Sequence, residues 1–217
     1  MTRTNKTAIN SLVGLTCSVI NSILSFVLRA LFIDLLGLEY AGVNTLFLDI
    51  LNVLNLADVG FNNAILFRLY RTISKGDNEG TELYLTLYKK ICYVVGFVVG
   101  AVGLCLIPFL ENFINSPPTF EEPLWSLYVI VLANGVTNHV INYKSILLIA
   151  KQDRYLFIII QYACIFLRNA LQIVTLLLFK SIYIYLLTSL ATTLAQGAVT
   201  GIISNRMYLL SLRSRFE

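Results

Sequence analysis

Residues 36–71 read LGLEYAGVNTLFLDILNVLNLADVGFNNAILFRLYR, a segment that carries strongly polar side chains inside an otherwise apolar stretch. A helix advances about 100° per residue, so these polar side chains fall on one half of it and Leu, Ile, Val and Phe fall on the other. One face therefore suits lipid, and the other suits a wet or polar space. The polar members are Asp49, Asn52, Asn55, Asp58, Asn62 and Asn63.

The composition is that of a membrane protein. Of the 217 residues, 57% are hydrophobic and 13% are charged, whereas soluble domains carry about 25% charged residues. The net charge of +4 does not indicate nucleic-acid binding, because the basic residues lie in short segments between apolar runs. The four cysteines lie within apolar runs without metal-ligand spacing. We therefore predict an all-α, polytopic membrane protein without a zinc site or disulfides.

The apolar runs predict six membrane-spanning helices in a single domain. A spanning helix needs about 20 mainly apolar residues. The windows that meet this requirement are 8–33, 41–66, 91–110, 124–149, 155–179 and 182–204. Arg3 and Lys6 precede the first window as in a signal peptide, but no small-residue cleavage site follows, so we interpret this helix as a retained anchor.

The distribution of basic residues predicts the orientation. With a cytoplasmic N-terminus, every Lys and Arg except Arg29, Arg168 and Lys180 lies on the cytoplasmic side. The positive-inside rule therefore places both termini in the cytoplasm and the chain in the cytoplasmic (inner) membrane.

Polar side chains follow one face of most of the predicted helices. On the third helix, small residues replace them, and Gly96, Gly100 and Gly103 suit close helix packing. We expect the polar faces of the other helices to converge on one cavity. The predicted substrate-binding residues are Asn21, Arg29, Asn52, Asn55, Asn62, Asn138, Gln161, Arg168 and Gln172. The alternative is that the amides only join helices through mutual hydrogen bonds.

Two arginines inside predicted spans indicate an anion site. A guanidinium in the membrane costs several kcal/mol unless it meets water, an anion or a carboxylate. Arg29 and Arg168 both lie on the polar faces, and their planar forks suit phosphate oxygens. The alternative for Arg29 is an ion pair with Asp49, or a position at the membrane surface.

Two carboxylates are candidates for ion coupling. A desolvated Asp58 or, less strongly, Asp49 can couple proton or sodium movement to a conformational change. The alternative is that each neutralises an arginine or bonds neighbouring amides. His139 has no second histidine or cysteine at ligand spacing, so we interpret it as structural and predict no metal site.

Known catalytic motifs are absent from the sequence. It contains no H-E-x-x-H, G-x-S-x-G or Walker sequence. We therefore predict neither an enzyme nor a cofactor, although an enzyme acting on lipid-linked sugars, with Asp58 and Arg68, stays as an alternative.

Two stretches resemble a known family. Residues 36–42, LGLEYAG, are similar to the L-G-x-E-x-y-G that follows helix 1 in bacterial oligosaccharide flippases of the polysaccharide transporter family. Residues 56–64, LADVGFNNA, are similar to that family's l-x-D-x-G-l-x-x-A near the end of helix 2. The spacing of the six predicted spans fits as well. The resemblance covers essentially the whole chain and implies the MOP/MATE-like exporter superfamily.

The resemblance implies a substrate and a mechanism. The family moves undecaprenyl-pyrophosphate-linked oligosaccharide across the cytoplasmic membrane for capsule, exopolysaccharide or O-antigen assembly, by alternating access. A cationic cavity is expected to hold the pyrophosphate and sugars, and Arg29 and Arg168 are the available cations. Proteins of polysaccharide assembly are the expected partners.

The chain carries half the number of helices of that family, whose members have two lobes that rock against each other. We therefore expect one six-helix lobe, from a truncated transporter or from a homodimer. The competing functions are export of another amphiphilic substrate and a non-transporting scaffold of polysaccharide assembly.

Overall fold

The computed structural model describes the backbone of residues 3–55, 58–114, 122–143, 145–150 and 154–213. Within these ranges, it describes the side chains except those of residues 3–13, 58–60, 142, 145, 147–148, 154–157, 160 and 205–213. Every regular element in the described backbone is a helix. In chain order these are α1 (Arg3–Leu36), α2 (Leu38–Asn55), α3 (Asp58–Lys75), α4 (Asn78–Leu106), a 3-10 helix (Ile107–Phe113), α5 (Leu124–Asn142), α6 (Ser145–Ala150), α7 (Arg154–Phe179) and α8 (Ile182–Arg213).

Five stretches of the described chain are helical, long and apolar enough to cross a membrane. They are Gly14–Leu36, Asn78–Phe113, Leu124–Ile141, Gln161–Phe179 and Ile182–Ser204. The prediction of an all-helical chain is therefore confirmed for the described residues, and the five candidate spans support the prediction of a membrane protein. The count of six spans stays a prediction.

The predicted second span, 41–66, is not among these five. Its described residues belong to two helices, because α2 ends at Asn55 and α3 begins at Asp58. The two helices also have different neighbours: α2 contacts α1, α4 and α5, whereas α3 contacts α4 and α6. The amides and the two carboxylates of α2, Glu39 and Asp49, lower its hydropathy, although four of its apolar side chains are buried.

The predicted fourth span, 124–149, also differs from the structure. Helix α5 ends at Asn142, Tyr143 forms a turn, and a separate short helix, α6, begins at Ser145. Helix α6 contacts α3, and its side chains Ile146 and Ala150 are buried there. The apolar run alone predicted that α5 continues to residue 149. Packing against α3 accounts for the separate helix α6 in its place.

The predicted breaks after the first and fifth spans are turns in the structure. Gly37, with a φ of +103°, separates α1 from α2, and its amide donates to the Ile33 carbonyl at 2.9 Å. Lys180 has a φ of 47° and separates α7 from α8. Between α3 and α4, the Asp77 side chain accepts from the Gly80 amide and caps α4. The loop residues 115–121 and 151–153 lie outside the described residues.

The buried side chains form two clusters. The first cluster joins α1, α2, α4, α5, α7 and α8 around Phe47, Leu127, Tyr128 and Leu176. The second cluster joins α3, α4 and α6. Its members are Ile65, Leu69, Tyr88, Cys92, Ile146 and Ala150.

Helix α4 packs closely on α5 through its glycines, as predicted. A Cβ built on Gly96, Gly100 or Gly103 would meet side chains of α5, and at Gly103 it would come within 2.4 Å of Leu132. The opposite face of α4 exposes large apolar side chains such as Val94 and Val98. Helix α4 is therefore a peripheral helix that braces α5.

Candidate functional site

A polar cavity of about 320 Å³ lies between α1, α2, α5, α7 and α8. It occupies the half of the helix bundle that contains the turns at Gly37 and Lys180. The positive-inside rule predicts this end to be external. The lining residues are Ser25, Leu28, Arg29, Phe32, Ala41, Asn44, Thr45, Leu48, Ile130, Val131, Asn134, Arg168, Asn169, Gln172, Tyr185, Leu186 and Ser189.

The structure brings both predicted intramembrane arginines to this cavity. Arg29 comes from α1 and is exposed, and Arg168 comes from α7 and is half-buried. Both side chains belong to helices that are long and apolar enough to cross a membrane. None of the lining residues is acidic. The cavity therefore carries two positive charges with no negative charge on its wall.

The alternative ion pair between Arg29 and Asp49 is not formed in the structure. Asp49 is exposed on α2 and does not line the cavity. Among the residues that the structure describes, no carboxylate forms an ion pair with Arg29 or Arg168. Tyr185 of α8 lines the cavity together with Arg168. The Tyr185 ring is held edge-on against Phe32 of α1, with centroids 4.8 Å apart.

Two buried amides of α7 are fixed beside the arginines. Asn169 is 2% exposed, and its Nδ2 donates to Oδ1 of Asn21 on α1 at 3.3 Å. Gln172 is 4% exposed, and its Nε2 donates to the backbone carbonyl of Tyr185 on α8 at 3.4 Å. These hydrogen bonds join α7 to α1 and α8. The amides therefore hold together the three helices that carry Arg29, Arg168 and Tyr185.

The far wall of the cavity is formed by α5 and α8. Asn134 Nδ2 donates to Ser189 Oγ at 3.1 Å and joins these two helices. Thr192, one turn further along α8, donates to backbone carbonyls of its own helix and lies outside the cavity. The polar face of α8 thus contributes to the cavity only near the beginning of the helix.

The sequence prediction missed several lining residues, although their helical spacing places them on the same faces as the predicted polar residues. Asn44 precedes Asn55 by eleven residues, about three helical turns, so the two share a face of α2. Asn169 precedes Gln172 by three residues and neighbours it on the surface of α7. Thr45 adjoins Asn44 on α2. Tyr185 and Ser189 fall on the predicted polar face of α8.

Other predicted site residues lie outside the cavity. Asn52 and Asn138 are exposed, and Gln161 is half-buried. Nε2 of the buried His139 donates a hydrogen bond of 2.8 Å to Oδ1 of Asn55, a structural contact between α2 and α5. Asn62 accepts from the Tyr88 hydroxyl of α4. The side chain of Asp58 lies outside the described residues.

The structure thus divides the predicted residues into two sets. Arg29, Arg168 and Gln172 line the cavity, and Asn21 supports it through Asn169. The remaining amides and Asp49 lie further along the bundle. Their assignment to substrate binding or ion coupling stays a prediction.

Comparisons with known proteins return no relative: no family model, no curated protein and no solved structure matches this chain.

Proposed function

We propose that this chain is one six-helix lobe of a MOP/MATE-like flippase that moves undecaprenyl-pyrophosphate-linked oligosaccharide across the cytoplasmic membrane. The cavity between α1, α2, α5, α7 and α8 is the proposed binding site for the pyrophosphate and the first sugar. The observation that carries the proposal is that Arg29 and Arg168 reach the same intramembrane cavity and that no acidic side chain lines it.

An anionic ligand is the natural partner of such a cavity. Two guanidinium groups in a membrane protein need counter-charges, water or hydrogen-bond acceptors. None of the described carboxylates pairs with Arg29 or Arg168, so we propose that an anionic ligand supplies the negative charge. A pyrophosphate offers several oxygens to two planar guanidinium forks, which is the geometry that favours Arg over Lys.

The neutral polar lining suits a sugar. Asn44, Thr45, Ser25 and Ser189 present hydroxyl and amide groups that both donate and accept hydrogen bonds. The volume of about 320 Å³ is at the lower end of the range for small-molecule sites, about 300–1,000 Å³. The cavity thus fits a headgroup rather than a whole oligosaccharide, and the lipid tail remains in the bilayer.

Helix α2 is the proposed sixth crossing. Its 18 residues extend about 27 Å, close to the thickness of about 30 Å of the hydrocarbon core. Its low hydropathy has a local cause, because Asn44 faces the cavity and Asn55 bonds His139. A polar face turned towards a cavity is compatible with a membrane crossing.

Alternating access requires a second lobe, from a longer protein or from a second copy of this chain. Asp49 and Asp58 remain the proposed ion-coupling residues. Neither is part of the argument for the anion site. Proteins that assemble polysaccharide are the proposed functional partners.

The proposal is tested in vesicles that contain a fluorescent lipid-linked oligosaccharide. Dithionite destroys the fluorophore in the outer leaflet only, so about half of the signal survives without flipping. We expect the parent chain, alone or with a supplied second lobe, to expose the protected half. Arg168→Gln should abolish this effect, and Lys180→Gln, whose native side chain does not line the cavity, should leave it unchanged.

The contrary results separate the competing functions. Transport of a neutral fluorescent amphiphile with equal efficiency would favour a general exporter. Tight binding of the lipid-linked sugar without any transport, even with a second lobe, would favour a scaffold. The absence of both binding and transport would overturn the proposal.

A further inference from the structure

Helix α3 has three distinct sectors on its surface. The first is buried against α4 and α6 and contains Leu69, which is fully buried, and Ile65. At about 100° per residue, Phe67 and Tyr70 lie about 160° and 100° from Leu69, in a second sector. The third sector is basic and lies at about 200–260° from Leu69, measured in the same direction. Its members are Arg68, Arg71 and Lys75, all exposed.

The neighbours of α3 place it at the boundary between membrane and water. Its buried face meets Tyr88 and Cys92 of α4. Between these two residues lie Lys89 and Lys90, both exposed, and the strongly apolar run of α4 begins immediately after them. A pair of lysines at the start of an apolar run marks the level where the helix enters the hydrocarbon.

The position of Lys89 also indicates that this part of α4 lies at the membrane surface. Its Nζ lies 6.0 Å from the ring centroid of Tyr93 and 5.6 Å from that of Tyr143. Tyrosine and lysine side chains with this arrangement are typical of the interface, where the apolar stem and ring are covered and the polar ends reach the headgroups.

Exposed aromatic and basic sectors on one helix require two different environments. Phe67 is 71% exposed, so the described part of the protein leaves most of it uncovered. Tyr70 is 40% exposed, and its hydroxyl donates to the Ile149 carbonyl of α6 at 3.5 Å. Water alone does not suit Phe67, and the hydrocarbon core does not suit three cations. An interfacial helix satisfies both sectors, with the aromatic rings at the acyl boundary and the cations at the headgroups.

We propose that α3 is an interfacial helix that binds anionic phospholipid headgroups through Arg68, Arg71 and Lys75. These three cations have the spacing i, i+3 and i+7 and extend over about 10 Å along the helix. Their charge complements an anionic leaflet surface, which attracts basic residues near it. This lipid site is separate from the cavity and does not depend on the proposed transport function.

The test uses a tryptophan on α3 as a reporter of neighbouring lipids. Trp125 is the only tryptophan in the chain, so the background is Trp125→Phe, and the reporter is Phe67→Trp. The protein is reconstituted in equal amounts of phosphatidylglycerol and phosphatidylcholine, with one of the two lipids brominated to quench the reporter. The matched reporter is Phe97→Trp on α4, where the native side chain is 76% exposed.

We expect brominated phosphatidylglycerol to quench the reporter at position 67 more strongly than brominated phosphatidylcholine. The ratio of the two quenching efficiencies should correspond to an enrichment of phosphatidylglycerol over phosphatidylcholine near position 67 of about threefold or more. At position 97 the ratio should be close to one. The combined variant Arg68→Gln, Arg71→Gln, Lys75→Gln should bring the ratio at position 67 to one, and Lys180→Gln should leave it unchanged.

Three outcomes would overturn the proposal. The first is an equal ratio at positions 67 and 97 in the parent protein. The second is a preference that survives neutralisation of the three cations. The third is the absence of quenching by either lipid at position 67, which would assign the surface to water or to another protein. Raising the salt concentration tests the parent protein without any substitution, because screening should reduce the preference.

Discussion

Two pairs of arginines in this molecule show how packing decides the role of a charge. Arg29 and Arg168 lie on separate helices and meet at one cavity inside the bundle. Arg68 and Arg71 lie on one helix outside the five apolar helices, and both are exposed on its outer surface. The first pair lies on helices that are long and apolar enough to cross a membrane and is expected to need an anionic partner there. The second pair is expected to meet water or lipid headgroups. The chemical group is the same, but its expected ligand differs.

The surrounding packing differs in the same way. Around the cavity, buried polar groups such as Asn169 and Gln172 are joined across helices by hydrogen bonds. In the second cluster, the buried side chains are mainly apolar and the charges point outward. The helices around the cavity are therefore joined by buried polar contacts. In α3, α4 and α6, by contrast, apolar side chains lie on the buried faces and charged side chains on the exposed faces. This contrast predicts different responses to substitution.

The largest expected effect concerns the two arginine pairs. Each charge-assisted hydrogen bond contributes about 1.5–3 kcal/mol, so Arg29→Gln or Arg168→Gln should weaken pyrophosphate-lipid binding by about 10- to 100-fold. Arg68→Gln and Arg71→Gln are the matched controls and should change the affinity less than twofold. Isothermal titration with a prenyl pyrophosphate measures all four. Equal losses in the two pairs would abolish the distinction between them.

A charge-conserving change sharpens the same prediction. Arg168→Lys retains the charge but loses the planar fork, so it should restore only part of the affinity lost in Arg168→Gln. Full restoration would show that the site requires charge alone. Binding of inorganic pyrophosphate in parallel separates recognition of the headgroup from partition of the lipid tail.

The second prediction concerns the contact between α5 and α8, which joins two walls of the cavity. A Cβ on Gly197 would lie 2.4 Å from both Cγ2 and Cδ1 of Ile141. Overpacking of this kind costs about 1–3 kcal/mol, so Gly197→Ala should lower the free energy of unfolding by that amount. Titration with sodium dodecyl sulfate in mixed micelles measures the change.

The control for Gly197→Ala is another helical glycine. A Cβ on Gly42 of α2 meets nothing within 4 Å. Gly42→Ala should therefore keep or raise the stability, by up to about 1 kcal/mol, because alanine favours the helix. Similar losses in both variants would mean that the close approach of α5 and α8 is not the cause.

The third prediction compares a hydrogen bond between α2 and α5 with a hydrogen bond between α3 and α4. His139 is buried and bonds Asn55 between α2 and α5, so His139→Phe should cost about 1–3 kcal/mol. Tyr88→Phe removes the hydroxyl that donates to Asn62, which is itself exposed and accessible to other donors. Its cost should be below about 1 kcal/mol. The order of the two losses is the test, and a larger loss for Tyr88→Phe would contradict the expected effect of burial on the two hydrogen bonds.

Much of this arrangement follows from the sequence, and the reason for the rest is geometric. Helical periodicity placed Arg29, Arg168 and Gln172 on polar faces, and these faces meet in the structure. Periodicity on a single helix does not fix the depth at which neighbouring helices touch. For this reason, Asn52 and Asn138 were predicted at the site although they lie outside the cavity.

The helix boundaries show the same limit. Apolar composition predicted continuous spans over 41–66 and 124–149, whereas α3 and α6 are separate helices that pack on each other. Their contact is a tertiary interaction between distant residues such as Ile65 and Ile146. A hydropathy window responds to local composition, so it does not register that contact. The sectors of α3, in contrast, are readable from its sequence once its beginning and end are known.

The smallest expected effect is a difference between two coupling energies. Asn169 donates to Asn21 and joins α7 to α1, and a double-mutant cycle with alanine should give a coupling of about 0.6 kcal/mol, the average for polar pairs in membranes. In the second region, Thr81 Oγ1 donates to Thr72 Oγ1 at 3.1 Å and joins α4 to α3. Both hydroxyls also have carbonyl acceptors nearby in the chain, those of Asp77 and Leu69.

Because each threonine keeps its backbone acceptor when the other is removed, the Thr72–Thr81 coupling should be close to zero. The amides have no such backbone acceptor in the structure within the described residues, so the loss of one leaves the other without its cross-helix bond. Unfolding in mixed micelles measures both cycles under the same conditions. A larger coupling for the threonines would mean that the second region also depends on specific polar contacts. The cavity region would then differ from it only in the location of its charges.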